Sequence, residues 1–572
     1  MGDFRGITNL GKIMANRIGR SRSRRSSAYL AMAVAASILV SSAVARADTT
    51  DDLLDQLKAK GILTKAEYAK LKHRHEAELK HRHDAEMAAK AAAEGAPSAS
   101  APSDRYVTAL KKGIGLHIPG EQVVSKDTGV TTVGDVDIKI TGSLIFFGAE
   151  NFKSSFSGSA GALVAPGLPL PGFYGVFGGL AGGSYYNNSN AIRSGLLPSD
   201  LAISIATNQM GYDIGFTVAA YFGGNDINTS AGAFNANNGG APVGLGTPGI
   251  DLRQVFGTIG TPEWGTFKIG RDLGLFAGDA ILNDFTLFGV GTPAGNAAPS
   301  NTALGRIGLG YVYADWIPQI TYTTPDFGGF TASIGIFTPL DTINTTGDVF
   351  GLAAPGPGFS GPAVSYNGAV IAATSGTMTA HDQPQFQGRI KYIGQFAPDV
   401  KFTAWADGIT QLQRVSEADV AAALVSGRPG ASVRSSGVDG GARLDWGDFS
   451  AVGYAYWGSA LGTTGLFYDA ISPNGQARNS YGWYGEAEYT FFDRLTFGGS
   501  YGESILQANS FDYTQAYNLF LLRSNQSAIG FARYKLTDWV AFQAEFVHTL
   551  SINQSGGAVR SNAVVGGTTF FF

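Results

Sequence analysis

Charged side chains in the second half of this chain stand two residues apart, with apolar ones between them. In Gln385-Phe-Gln-Gly-Arg-Ile-Lys-Tyr392, Phe386, Gly388, Ile390 and Tyr392 fall on one side of an extended chain, and Gln385, Gln387, Arg389 and Lys391 on the other. Val438, Ala442, Leu444 and Trp446 oppose Asp439, Arg443 and Asp445 in the same way. Trp483, Ala487, Tyr489 and Phe491 oppose Glu486 and Glu488, and Val540, Phe542, Ala544 and Phe546 oppose Gln543 and Glu545. Each such charge would cost about 2–4 kcal/mol at the middle of a bilayer. The expectation is therefore that Arg389, Lys391, Arg443, Glu486, Glu488 and Glu545 line a wet lumen, where they solvate ions and small polar molecules. Bond-making chemistry is not indicated. The only His beyond His117 are His381, beside Asp382 in a loop, and His548 on the last hairpin, and no G-x-S-x-G context accompanies either. With no Cys, disulfides and thiolate metal sites are excluded. No enzyme, metal or cofactor is expected.

The elements that must position these residues are hairpins. Short turns stand at Pro262-Glu263, 325–329, Pro398-Asp399, Gly447-Asp448, Asp493-Arg494 and Thr537-Asp538. Long loops cover roughly 272–315, 338–383, 411–436, 460–479, 504–524 and 550–561. Strict alternation of short and long connections is the wiring of an up-and-down antiparallel barrel. About sixteen strands are expected over 135–572, with eighteen if the Gly-rich stretch 150–198 holds another pair. A barrel of that size encloses an aqueous bore. The expected fold class is thus an all-β transmembrane barrel. Trp264, Trp316, Trp446, Trp457, Phe491, Phe492 and Trp539 lie near strand ends and fit aromatic girdles at the two membrane interfaces.

Composition agrees. The mean hydropathy of the 572 residues is near zero, at +0.03, because lipid-facing and water-facing positions cancel. Arg17, Arg20, Arg22, Arg24 and Arg25 precede an apolar stretch at 28–40, and Ala45-Arg46-Ala47 suits cleavage, so 1–47 reads as an export signal. Its removal takes eight basic residues and one acidic residue and leaves a net charge of −11, a weak bias toward cations. Beyond Ser103 there are 24 basic and 34 acidic residues, which argues against a phosphate-selective ladder. Residues 48–93 have another texture. Leu53, Leu54 and Leu57 form a stripe ended by Gly61, Thr64 to Glu67 form a capping box, and Tyr68, Leu71, His75, Leu79, His83 and Met87 form a second stripe. This predicts a helix–turn–helix leading into a coiled coil. His73, His75, His81 and His83 include no i, i+4 pair and read as a solvated helix face more readily than as a metal site or pH sensor. Residues 94–134 are a linker and lead-in.

The run Asp251-Leu-Arg253-Gln-Val-Phe-Gly257, followed by Gly265-Thr-Phe-Lys268-Ile-Gly270-Arg271, resembles the strand–turn–strand that leads into the constriction loop of Gram-negative general porins. Gln319-Ile-Thr-Tyr322 through Pro325-Asp-Phe-Gly328-Gly-Phe330 resembles the return from that loop. The terminal Phe572 with Phe570 two residues earlier resembles the signal read by the barrel assembly machinery, and a helical segment ahead of the barrel is similar to the DcaP-like porins. The family's acidic loop cluster has no clear counterpart here. The resemblance implies a passive outer-membrane channel for small hydrophilic solutes or ions, built as a homotrimer among lipid and lipopolysaccharide. Its N-terminal segment would stand in the periplasm, within reach of peptidoglycan, and nucleic acid is not an expected partner. A substrate-selective channel for carbohydrate, dicarboxylate or phosphate is the alternative, and a barrel-anchored adhesin or cell-wall anchor a further one. By the same resemblance 272–315 folds inward. Asp279 and Asp284 would then supply an acidic side of the constriction, facing Arg253, Lys268, Arg271 and Arg389, with Arg306 also carried on the loop. Strict alternation from Phe267 and Ile269 aims Arg271 at lipid, so it serves only if it lies past the strand's end.

Overall fold

The computed structural model describes residues 130–157, 189–222, 250–292, 303–343, 375–422, 425–514 and 521–572, with short ladder segments at 233–234, 242–243, 364–366 and 369–371. The signal, the helical module and its histidines lie outside the described residues, as does His117.

Sixteen antiparallel strands form a closed barrel. The first, Val136–Ser157, is followed by Ser199–Gln209 and Tyr212–Phe222, then Ile250–Thr261 and Gly265–Leu273, then Trp316–Thr323 and Phe330–Phe337. Gln385–Ala397 and Val400–Arg414, Ser432–Trp446 and Phe449–Ser459, and Asn479–Phe491 and Leu495–Leu506 continue the wall, and Leu522–Lys535, Val540–Asn553 and Ala558–Phe571 complete it. Each strand pairs with its sequence neighbour. The circle closes where Ser143 to Ser157 run against Phe571 to Ala558. Gly142 and Phe572 finish the seam by exchanging both main-chain hydrogen bonds, at 3.1 Å each. The eighteen-strand alternative is not realised: the stretch after the first strand contributes the short strand Ser189–Arg193, laid beside Phe147 to Asn151.

Alternation sets the register. Ile390, Phe386, Val438, Phe542 and Phe546 are exposed on the outer face, while Gln385, Gln387, Asp439 and Gln543 are buried inside. A one-residue slip would invert this whole division, which fixes the pairing. The short turns share one rim; Gly265, at φ +88°, makes the turn after Trp264, where a Cβ would sit 2.2 Å from the Thr323 carbonyl oxygen. Trp264, Trp446, Trp457, Phe491, Phe492 and Trp539 are exposed outward. Trp316 departs from the girdle: it is buried, its ring 5.7 Å from that of Tyr221.

The hydrophobic core lies inside the barrel. Phe276, Leu287, Leu304 and Tyr311 of loop 274–315 pack with Leu461, Phe467 and Ile471 of loop 460–478 and with the wall residues Trp405 and Tyr484. The two loops are joined by a hydrogen bond from the Tyr313 amide to the Thr464 carbonyl, at 2.7 Å.

Candidate functional site: the inward loop and the wall that holds it

Loop 274–315 joins the fifth and sixth barrel strands and turns into the lumen, where the wall meets it with hydrogen-bond acceptors. The Gln387 side-chain oxygen accepts from the Phe276 amide at 2.9 Å, and the Asp439 carboxylate from the Ala277 amide at 2.8 Å. Glu486 accepts from the Phe285 amide at 2.6 Å. Glu545 accepts from both Val290 and Gly291, at 3.1 and 2.9 Å. The Tyr484 hydroxyl donates to the Ala280 carbonyl at 2.7 Å, and the Ser504 hydroxyl accepts from the Gly310 amide at 3.0 Å. Inward loops carry main-chain groups that water would otherwise satisfy, and here the wall satisfies them. A hydrogen bond of this kind contributes about 0.5–1.5 kcal/mol net.

This arrangement corrects one expectation. Glu486 and Glu545 do point inward, but they are only 5% and 4% exposed, because the loop lies on them. They hold peptide groups and do not face water. The reason is that alternation tells which side of the wall a residue takes and nothing about what covers it.

Among the loop's own charges, Asp279 is gripped by Arg389 at 2.7 Å and Lys391 at 2.5 Å. Burial alone would raise its carboxyl, but the two cations outweigh that and hold it below the usual carboxylate range. The loop acid and the two wall bases thus meet by direct contact. Asp284 turns back on the loop: it is 1% exposed and accepts from the Thr286 amide, the Thr286 hydroxyl and the Tyr311 hydroxyl, at 2.7, 2.6 and 3.0 Å. Arg306 is fully buried, 3.3 Å from Glu486, and donates to the Ser527 hydroxyl at 3.1 Å. Asp284 is thus internal to the loop, whereas Arg306 joins the loop to the wall.

A second cluster gathers on the strands leading into the loop. Lys268 pairs with Asp272, whose other oxygen accepts from Gln254 at 2.9 Å. Arg253 lies over the Tyr221 ring, 4.9 Å from its centroid. Arg271 does not join it. The strand continues to Leu273, and Arg271 is registered between Val255 and Pro318, both exposed on the outer face. It makes no hydrogen bond through Nε or Nη2 among the described residues. The condition that it lie past the strand's end is not met.

Toward the short-turn rim, below Asp279, a cavity of about 250 Å³ opens. Its charged lining is Lys391, Lys401, Arg443, Arg494, Arg533 and Lys535 against Asp279, Asp445, Glu488 and Asp493. Arg443 pairs with Asp445 at 2.8 Å and Arg533 pairs with Glu488. Lys401 and Arg494 have no ion-pair partner among the described residues. Sequence reasoning had passed over Lys401, Arg494, Arg533 and Lys535, although inward alternation in the flanking strands carries a signal for Lys401 and Arg533. The loop contacts of Asp439 and Gln387 had no such signal.

A family model described as Gram-negative porin matches residues 156–549. Among solved structures, the outer membrane channel DcaP of Acinetobacter baumannii superposes with a TM-score of 0.50 at 11% identity, covering 78% of this chain and 100% of its own. OmpF of Salmonella typhi, in complex with daunomycin, covers the same shares at 10% identity and a TM-score of 0.41. OmpT of Vibrio cholerae gives 0.40 at 12% identity, with 78% of this chain and 100% of its own covered. No curated protein sequence matches significantly. With sixteen antiparallel strands, an outward apolar face, a loop turned into the lumen and a family match over more than half its length, this chain belongs to the Gram-negative porins.

Proposed function

We propose that this outer-membrane channel passes small hydrophilic solutes with a preference for anionic and zwitterionic ones. The observation that carries the reading is the cavity beneath the inward loop, lined by six basic and four acidic side chains. Selectivity is set by the few charges at the narrow part of the path, where the field is least screened. The net charge of the whole chain points the other way, but most of it lies elsewhere.

The same proposal includes assembly. Residues 1–47 act as the export signal, and 48–93 stand in the periplasm as a helix–turn–helix and coiled coil near peptidoglycan, supported by the capping box and apolar stripes. The barrel works as a homotrimer in lipid and lipopolysaccharide. Phe570 and Phe572, both exposed outward at the seam, serve as the signal for the assembly machinery. Planar-bilayer recording across a potassium chloride gradient tests the transport reading. The expected reversal potential has the sign of chloride preference; a potassium-selective potential would reject the anion preference, and silent incorporations would reject conduction.

A further inference from the structure

We propose, building on the anion preference above, that the cavity beneath loop 274–315 binds an elongated polyanion, a chain of phosphate groups, which enters from the periplasmic mouth and blocks the path there. The cavity lies toward the short-turn rim, which is the periplasmic side of a barrel wired in this way. Asp279, Leu282 and Asn283 of the loop line its inner end. A solute arriving from the periplasm therefore meets the basic lining before it meets the loop.

Three of the four lining carboxylates are already engaged. Asp279 is held by Arg389 and Lys391, Asp445 by Arg443, and Glu488 by Arg533. Lys401 and Arg494, without an ion-pair partner among the described residues, keep their charge available to a ligand. Where the two stand selects the ligand's shape. Lys401 lies at the start of strand Val400–Arg414, and Arg494 in the turn after strand Asn479–Phe491. Strands Ser432–Trp446, Phe449–Ser459 and Asn479–Phe491 separate them. At the usual spacing of strands the two cations are rooted about 15 Å apart along the wall. Lys535 joins the Arg494 flank, its amide donating to the Arg494 carbonyl at 2.8 Å. A lone phosphate engages one flank only. A chain of phosphates reaches both, since the two long side chains shorten the gap. Phosphate also offers more acceptor oxygens than a carboxylate, and an arginine fork takes it by two parallel bonds.

Single-channel recording with sodium tripolyphosphate, pyrophosphate or orthophosphate, added to one chamber at a time, tests this. The chain has no cysteine, so an Asp399→Cys barrel shows which chamber faces the short turns by its reaction with a bulky polyethylene glycol maleimide. Tripolyphosphate should block from that chamber at about ten-fold lower concentration than from the other. Pyrophosphate and orthophosphate should follow in that order, and added salt should weaken the block. With Lys401→Gln and Arg494→Gln combined, the periplasmic block should need about ten-fold more tripolyphosphate. Heat-modifiable gel mobility reports whether the variants have folded; should the double variant not fold, the single ones decide, each expected to weaken the block about three-fold. Equal block from both chambers, no advantage of tripolyphosphate over orthophosphate, or a folded double variant blocked like wild type would overturn the proposal. The reversal potential in potassium chloride, recorded before phosphate is added, tests the anion preference separately. A potassium-selective wild type rejects that preference and the polyanion site with it, whereas a chloride-selective channel that phosphate chains do not block rejects the polyanion site alone.

Discussion

Arg271 and Asp279 flank the point where the chain leaves the wall, and they take opposite sides of it. Arg271 faces outward beside Val255 and Pro318, so Arg271→Ser should leave the reversal potential unchanged in a salt gradient; a shift toward cations would place it on the solute path after all. Asp279 is inside, held by Arg389 and Lys391. Because its carboxyl is held below the usual range, the pairing is fully present above the unfolded carboxylate value, about pH 4, and is lost only as pH falls through the lowered folded value. The part of the conductance that Asp279 controls should therefore be flat from neutral pH down to that range, then change once Asp279 is protonated and the two cations are freed. Asp279→Asn should abolish that acid step and move the neutral-pH reversal potential further toward anions. The inward position of Arg389 was legible because alternation is local. Its partner was legible only through the family resemblance, since Arg389 and Asp279 are 110 residues apart and nothing in either segment alone names the other.

At the level of elements, hairpins are the legible part. A period of two, interrupted by Pro, Gly and Asp, marks each strand pair, and the sixteen strands follow from it. The loop is another matter. Its ties join residues separated by 111 to 255 positions and use peptide groups, which every residue possesses, so composition carries no trace of them. The apolar content of 274–315 is the one visible hint: Phe276, Leu287, Leu304 and Tyr311 needed somewhere to be buried, and the barrel interior is where they went. Deleting 277–312 should remove the inner core while leaving the wall's main-chain ladder intact. Conductance of the shortened protein should rise severalfold with heat-modifiable mobility retained; unchanged conductance would show that another segment limits flow.

For the whole molecule, net charge and local charge disagree, and the disagreement is physical. Screening reduces the influence of distant exposed charges within about 8–10 Å at ordinary salt, so the basic lining near Lys401 and Arg494 governs passing ions more than the acidic total does. Closure is also a property of the whole. Phe572 completes the seam with Gly142 and presents its ring outward, so removing it should lower the yield of folded barrel on gels more than it alters the conductance of those barrels that do form. A loop fastened by its peptide bonds has one more implication. Side chains that face the cavity without binding the wall, such as Leu282 and Asn283, could be exchanged to retune what the channel admits while the frame keeps its shape. New specificities would then arise from a handful of local replacements, with no renegotiation of the surrounding cylinder.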